Sequence, residues 1–133
     1  MDAVTLADHI RTKRLSPTEV TDAVLERMEK LNPTLGAFCT PTPDVARAQA
    51  KQVEADIMSG QPVGPLAGVP LGIKDMVNTK GIKTTFGSAI YKDFVPEEDD
   101  VIVERLRAAG AVILGKTNVP ELACAAEWNR KVA

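Results

Sequence analysis

The run Ala111-Val112-Ile113-Leu114-Gly115-Lys116 constrains the fold more than any other stretch of the chain. It is apolar without interruption up to its closing lysine, and a strand of that composition needs cover on both faces. The segment before it carries Val101, Ile102, Leu106 and Ala109 at helical spacing and stops at Gly110, a fitting residue just past a helix end. Further upstream, Gly64-Pro65-Leu66-Ala67-Gly68 leads into Val69-Pro70-Leu71-Gly72-Ile73-Lys74-Asp75. Here the period of two puts Val69, Leu71 and Ile73 on one strand face and Pro70, Gly72 and Lys74 on the other. Strand, helix and strand in succession is the alternation of an α/β layered fold with some parallel pairing.

The first third of the chain reads as helical. Val4, Leu6 and Ile10 predict a short helix ending near Lys13 and Arg14, where cations suit the helix dipole. Ser16-Pro17-Thr18-Glu19 is a helix start, with Ser16 as N-cap, Pro17 in the first turn and Glu19 closing a capping box. Val20, Val24, Leu25, Met28 and Leu31 form the buried stripe, and Asn32-Pro33 is expected to end the helix. Residues 1–33 are thus expected to form a helical hairpin on the outside of the core, with residues 35–133 as the α/β part. A strand is predicted over Leu35–Thr40, and an alanine-rich helix from Pro43-Asp44 to Met58, closed by Ser59-Gly60. Asn78-Thr79-Lys80-Gly81 reads as a turn. Glu97, Glu98, Asp99 and Asp100 precede the next helix, where negative charge favours capping over metal binding. Pro120-Glu121 is expected to open a last helix.

Few residues offer chemistry. Lys74 stands among aliphatic neighbours, and burial lowers a lysine's pKa towards that of a usable base. Gly72, on the same face, leaves room for a group to approach its ammonium. The spacing equally fits a strand-end lysine that reaches water or pairs with Asp75. Lys116 ends its strand in a comparable way, and Thr117-Asn118 lies where α/β sheets place ligands. Ser88 has neither an elbow motif nor an adjacent base. His9 is the 1 histidine, so a histidine-based triad or metal cluster has little to draw on. The 2 cysteines, Cys39 and Cys124, are far apart and fit reduced intracellular thiols, with a bridge between them as the alternative.

Gly68 to Asp75, Asn78, Gly110 to Asn118 and Pro120-Glu121-Leu122 together resemble the N-terminal part of an amidase-signature enzyme, a family that includes the amidase component of an amidotransferase acting on misacylated tRNA. The resemblance spans roughly Leu6 to Glu121. It implies a mixed sheet flanked by helices, with residues 1–133 the N-terminal portion of one amidase domain. It also implies hydrolysis of a carboxylic amide by a Ser-cisSer-Lys triad in which Lys74 is the lysine, held neutral. No metal or organic cofactor is implied, and Ser88 matches a Gly-Ser that is not the family's nucleophile. The Gly/Ser-rich signature that supplies both serines is not present in these 133 residues. The chain therefore reads as the front of an amidase, inactive alone, whose partner is a missing C-terminal half or another chain. The alternative is a truncated or partner-dependent interaction piece.

Composition limits the remaining classes. A net charge of -2 argues against direct nucleic-acid binding as the main role. No run approaches the roughly 20 apolar residues of a membrane span, and Asp8, His9 and Arg11 interrupt any secretory signal, so the expected place is the cytoplasm. The expected ligand is a small-molecule amide.

Overall fold

The computed structural model describes residues 1–124. Its elements, in order, are α1 (Ala3–Arg11), α2 (Pro17–Leu35), β1 (Phe38–Pro41), α3 (Pro43–Met58), β2 (Pro70–Lys74), α4 (Val101–Ala108) and β3 (Val112–Thr117). Single 3₁₀ turns occupy Ala89–Tyr91 and Glu121–Ala123.

Local sequence accounts for most boundaries. Asp2 caps α1 by accepting from the Thr5 N–H, and Ser16 caps α2 by accepting from the Glu19 N–H. Contrary to expectation, α2 passes through Pro33 and ends at Leu35, with Gly36 closing it in the left-handed conformation. Proline removes one helical N–H there. Asn32 offsets that loss: its backbone carbonyl accepts from the Gly36 N–H, and its side chain both accepts from Phe38 N–H (2.7 Å) and donates to Phe38 O (3.0 Å). The same bonds delay β1 to Phe38, later than the predicted start at Leu35. Where a helix is expected from Pro120-Glu121, the described residues form a 3₁₀ turn, with Leu122 and Ala123 at positive φ.

The three strands form a mixed sheet in the order β1-β3-β2, with β1 antiparallel and β2 parallel to β3. As its composition demands, β3 is central and buried along its length. On one face Leu25 of α2 and Ala46 and Ala50 of α3 pack against Val112 and Leu114. On the other, Ile73, Ile82 and Val103 of α4 pack against Ile113. The most extensive helix–helix packing is α2 on α3.

One irregularity decides where the C-terminal end of β3 points. Leu71 pairs with Ile113, yet the next residue, Gly72, pairs with Gly115, so Leu114 is an extra residue relative to β2. A bulge of this kind re-aims the side chains that follow it. Without it, Lys116 would share the face of Val112 and Leu114; with it, Lys116 pairs with Ile73 and turns to the side of Ile113. Gly115 permits the bulge, with φ of +140° and a position where a Cβ would stand 2.3 Å from Thr40 O.

Gly115→Ala is therefore expected to cost at least about 2 kcal/mol. Gly60→Ala has the comparable positive φ of +76° but open space around it. It should cost only the backbone term of about 1–2 kcal/mol. Urea unfolding of the two variants beside the parent chain measures both.

Candidate active site

Because β2 and β3 are parallel, their C-terminal ends lie together, and Lys74 there pairs with Thr117. Lys74 is exposed. Among the described residues its ammonium has no hydrogen-bond or ion-pair partner. The pairing with Asp75 that spacing allows is not formed. Nor is the room expected beside Gly72 open, since a Cβ there would stand 2.6 Å from Thr117 Cγ2 and 3.0 Å from the Phe38 ring. Gly72 serves close packing of the chain's own side chains.

Asp75 turns the opposite way and is buried. Its carboxylate accepts from Thr85 N–H at 3.1 and 3.2 Å and from the Thr85 hydroxyl, and it faces Lys116 Nζ at 4.0 Å. Lys116 is fully buried. Its Nζ donates to Val77 O (2.5 Å), Thr79 Oγ1 (2.9 Å) and Thr84 Oγ1 (2.8 Å). An ammonium has three N–H donors, so all three are used. Burial pushes the Lys116 pKa down to about 8, and the nearby Asp75 carboxylate opposes part of that fall.

Two lysines at one end of the sheet thus divide into different kinds. A strongly lowered pKa often marks a functional group, but ion-pair networks produce the same signature. Geometry separates them: Lys116 has no free donor and no access, whereas Lys74 is exposed and has no partner among the described residues. Nothing in the local sequence sets Lys116 apart from an ordinary strand-end lysine. The signal that bears on it is the hydroxyl-rich Thr84-Thr85 stretch, which supplies partners to the buried pair.

The remaining candidates hold structure together. Ser88 is fully buried and donates to Glu121 Oε1 at 2.8 Å, tying the 3₁₀ turn after β3 to the loop before α4. Asn118 donates through Nδ2 to Gly36 O and accepts from Val119 N–H, which fastens the end of β3 to the approach to β1. Asp99 and Asp100 do not cap α4 with their side chains. They accept from the N–H groups of Lys80 (2.6 Å) and Asn78 (2.7 Å), so the acidic run holds the turn at 78–80. Cys39 and Cys124 are free thiols. Burial and the neighbouring Asp75 carboxylate push the Cys39 thiol up to about 11. His9 lies on α1 in its last turn. A cleft of about 340 Å³ lined by Gln49, Asp56, Gly64 and Arg107 sits beside Gly110 and Ala111, at the other end of β3 from Lys74. No helix among the described residues is long and apolar enough to cross a membrane.

The buried lysine makes stability pH-dependent with a definite sign. Lys116 falls from 10.5 to about 8 on folding, so the unfolded chain binds more protons between those values and the lysine's contribution grows as pH rises from 8 towards 10.5. Cys39 works against it, since its rise from 9.0 to about 11 removes stability as pH climbs through that range. Between pH 8 and 9 the lysine dominates. The parent chain should gain stability over that interval, and Lys116→Met should abolish the gain. Near pH 7, where Lys116 is charged, that variant should also cost about 3–5 kcal/mol, because it removes the cation that faces the buried Asp75 carboxylate. Urea titrations at pH 7.5, 8.5 and 9 test both statements.

The family model for amidases matches residues 19–132. A glutamyl-tRNA(Gln) amidotransferase subunit from Acaryochloris marina is 48% identical over 118 residues, which are 89% of this chain and 24% of that protein. The putative amidase AmiD of Mycobacterium tuberculosis is 43% identical over 121 residues, 91% of this chain and 26% of that one. Among solved structures, the peptide amidase of Stenotrophomonas maltophilia superposes with a TM-score of 0.84 at 37% identity, covering 91% of this chain and 25% of that one. A bacterial aryl acylamidase of the amidase-signature family gives 0.85 at 30% identity, covering 92% and 26%. The chain therefore spans about a quarter of the length of these relatives. With its mixed sheet, its flanking helices and a match over most of its residues, the chain belongs to the amidase-signature family.

Proposed function

We propose that the protein to which these residues belong hydrolyses a carboxylic amide at its C–N bond, and that Lys74 is its general base. The observation that carries this reading is the placement of Lys74: a strand-end amine, exposed and without a partner among the described residues, at the end of the sheet where α/β folds bind ligands. Membership of the amidase family supports the reaction class. In this reading, the Lys74 nitrogen takes a proton through a relay serine as a nucleophilic serine attacks the carbonyl carbon. The resulting Lys74 ammonium returns a proton to the leaving nitrogen as the C–N bond breaks. Water then releases the acyl group as the acid. Both serines come from outside residues 1–133, as does the oxyanion site that stabilises the tetrahedral intermediate. The substrate is a small-molecule amide, and no cofactor takes part.

A second reading treats residues 1–133 as catalytically silent by themselves, a piece that works through further protein. Ile90 (83% exposed), Phe94 (39%) and Val95 (48%) favour it, because they form an apolar surface around the ring cluster of Phe86, Tyr91 and Phe94. The two readings are compatible if that further protein carries the serines.

The test is amide hydrolysis by the protein as its source makes it, with its intact mass measured against 14.2 kDa. Lys74→Ala should lower kcat by about 10²–10⁴-fold, the range for loss of a general base. Turnover that survives the substitution would remove Lys74 from the role. A 14.2 kDa species without turnover would favour the second reading.

A further inference from the structure

Asp75 follows Lys74 directly, and a carboxylate beside a catalytic amine is a hazard. An adjacent negative charge favours the ammonium and so disarms a lysine that must act as a base. Alternation along the strand turns the two side chains to opposite faces, but Asp75 lies in the turn just past β2, where alternation alone does not hold it. Its direction is held by partners. Thr85 supplies both its N–H and its hydroxyl to the carboxylate, and Lys116 Nζ stands at 4.0 Å on the buried side. The backbone agrees, since Asp75 N–H donates to Thr117 O and Asp75 O accepts from Phe86 N–H.

We propose that Thr85 and Lys116 are positioning residues that sequester the Asp75 carboxylate from Lys74, leaving the Lys74 amine without a counter-ion among the described residues. This rests on the reading of Lys74 as the base. Charged and titratable groups facing the Asp75–Lys116 pair come from several elements: Cys39 from β1, and Asp99 and Asp100 from the segment before α4. None of these is a cation that could replace Lys116 if it were removed. The nearest alternative counter-ion along the chain is Lys74. Loss of the Thr85 hydroxyl or of Lys116 loosens the Asp75 carboxylate, and Lys74 is the cation beside it in the chain, because a carboxylate left buried without its cation pays its desolvation cost.

The probe is acetic anhydride, which acylates neutral amines, with modification of Lys74 followed by peptide mass spectrometry from pH 7 to 10. Parent chain, Thr85→Val, Lys116→Met, and each variant combined with Asp75→Asn are compared, with cooperative urea unfolding as the check on folding. Thr85→Val and Lys116→Met should each slow Lys74 acylation at pH 7, where Lys116 carries its charge, by about three- to tenfold, and Asp75→Asn should restore the parent rate. An unchanged profile in folded Thr85→Val overturns the proposal. So does a slowed rate that Asp75→Asn does not restore, since that reports a general distortion of the strand end. If Lys116→Met does not fold, Thr85→Val decides alone. Acylation reads the coupling of Asp75 to Lys74 whether or not Lys74 turns over substrate, so this result is separable from the hydrolysis assay on Lys74→Ala.

Discussion

The buried ammonium of Lys116 is the interaction on which the C-terminal end of the sheet depends. It gathers Val77 O, Thr79 Oγ1 and Thr84 Oγ1 around one charge and faces the carboxylate of Asp75. The segment from 75 to 85 has no helix or strand of its own. Its shape comes from this charge at one side and from Asp99 and Asp100, which hold the N–H groups at 80 and 78, at the other. An ion buried in an apolar layer is costly unless every donor is used, and here every donor is used. Such an arrangement contributes definition of a single loop conformation more securely than it contributes net stability.

That charge reaches its place through a backbone defect. The extra residue at Leu114 lets one strand show Val112 and Leu114 to α2 and α3, Ile113 to α4, and then Lys116 to the same side as Ile113. The strand covers two apolar layers and delivers a cation to the second of them. Gly115 allows both the bulge and the close approach of β1. The consequence is felt at the strand beside it, where Lys74 emerges on the face that the buried pair does not occupy.

Much of this can be read from the residues themselves. The unbroken apolar run at 111–116 announces a central strand, Ser16-Pro17-Thr18-Glu19 announces α2, and the alanine-rich stretch from Pro43 to Met58 is α3 with both bounds as expected. What cannot be read there depends on contacts distant in sequence. The bulge shifts register, whereas a strict period of two would leave Lys116 on the face of Val112 and Leu114. α2 passes through Pro33, and two side-chain bonds between Asn32 and Phe38 then tie its end to β1. Asp99 and Asp100 leave their helix for a turn some twenty residues upstream, a choice no local capping rule contains. At the candidate site, Lys74 stands out through its motif, while Asp75, Thr85 and Lys116 become visible only once the fold brings them together.

Two lysines thus divide their labour, one consumed by the structure and one left open. A nitrogen-15 spectrum of the lysine ammonium groups at mildly acidic pH and low temperature distinguishes them, because only ammonium protons sheltered from water persist there. The expected result is a protected signal that vanishes in Lys116→Met and survives in Lys74→Met. A protected signal that vanishes with Lys74→Met, or no protected signal in the folded parent chain, would contradict it.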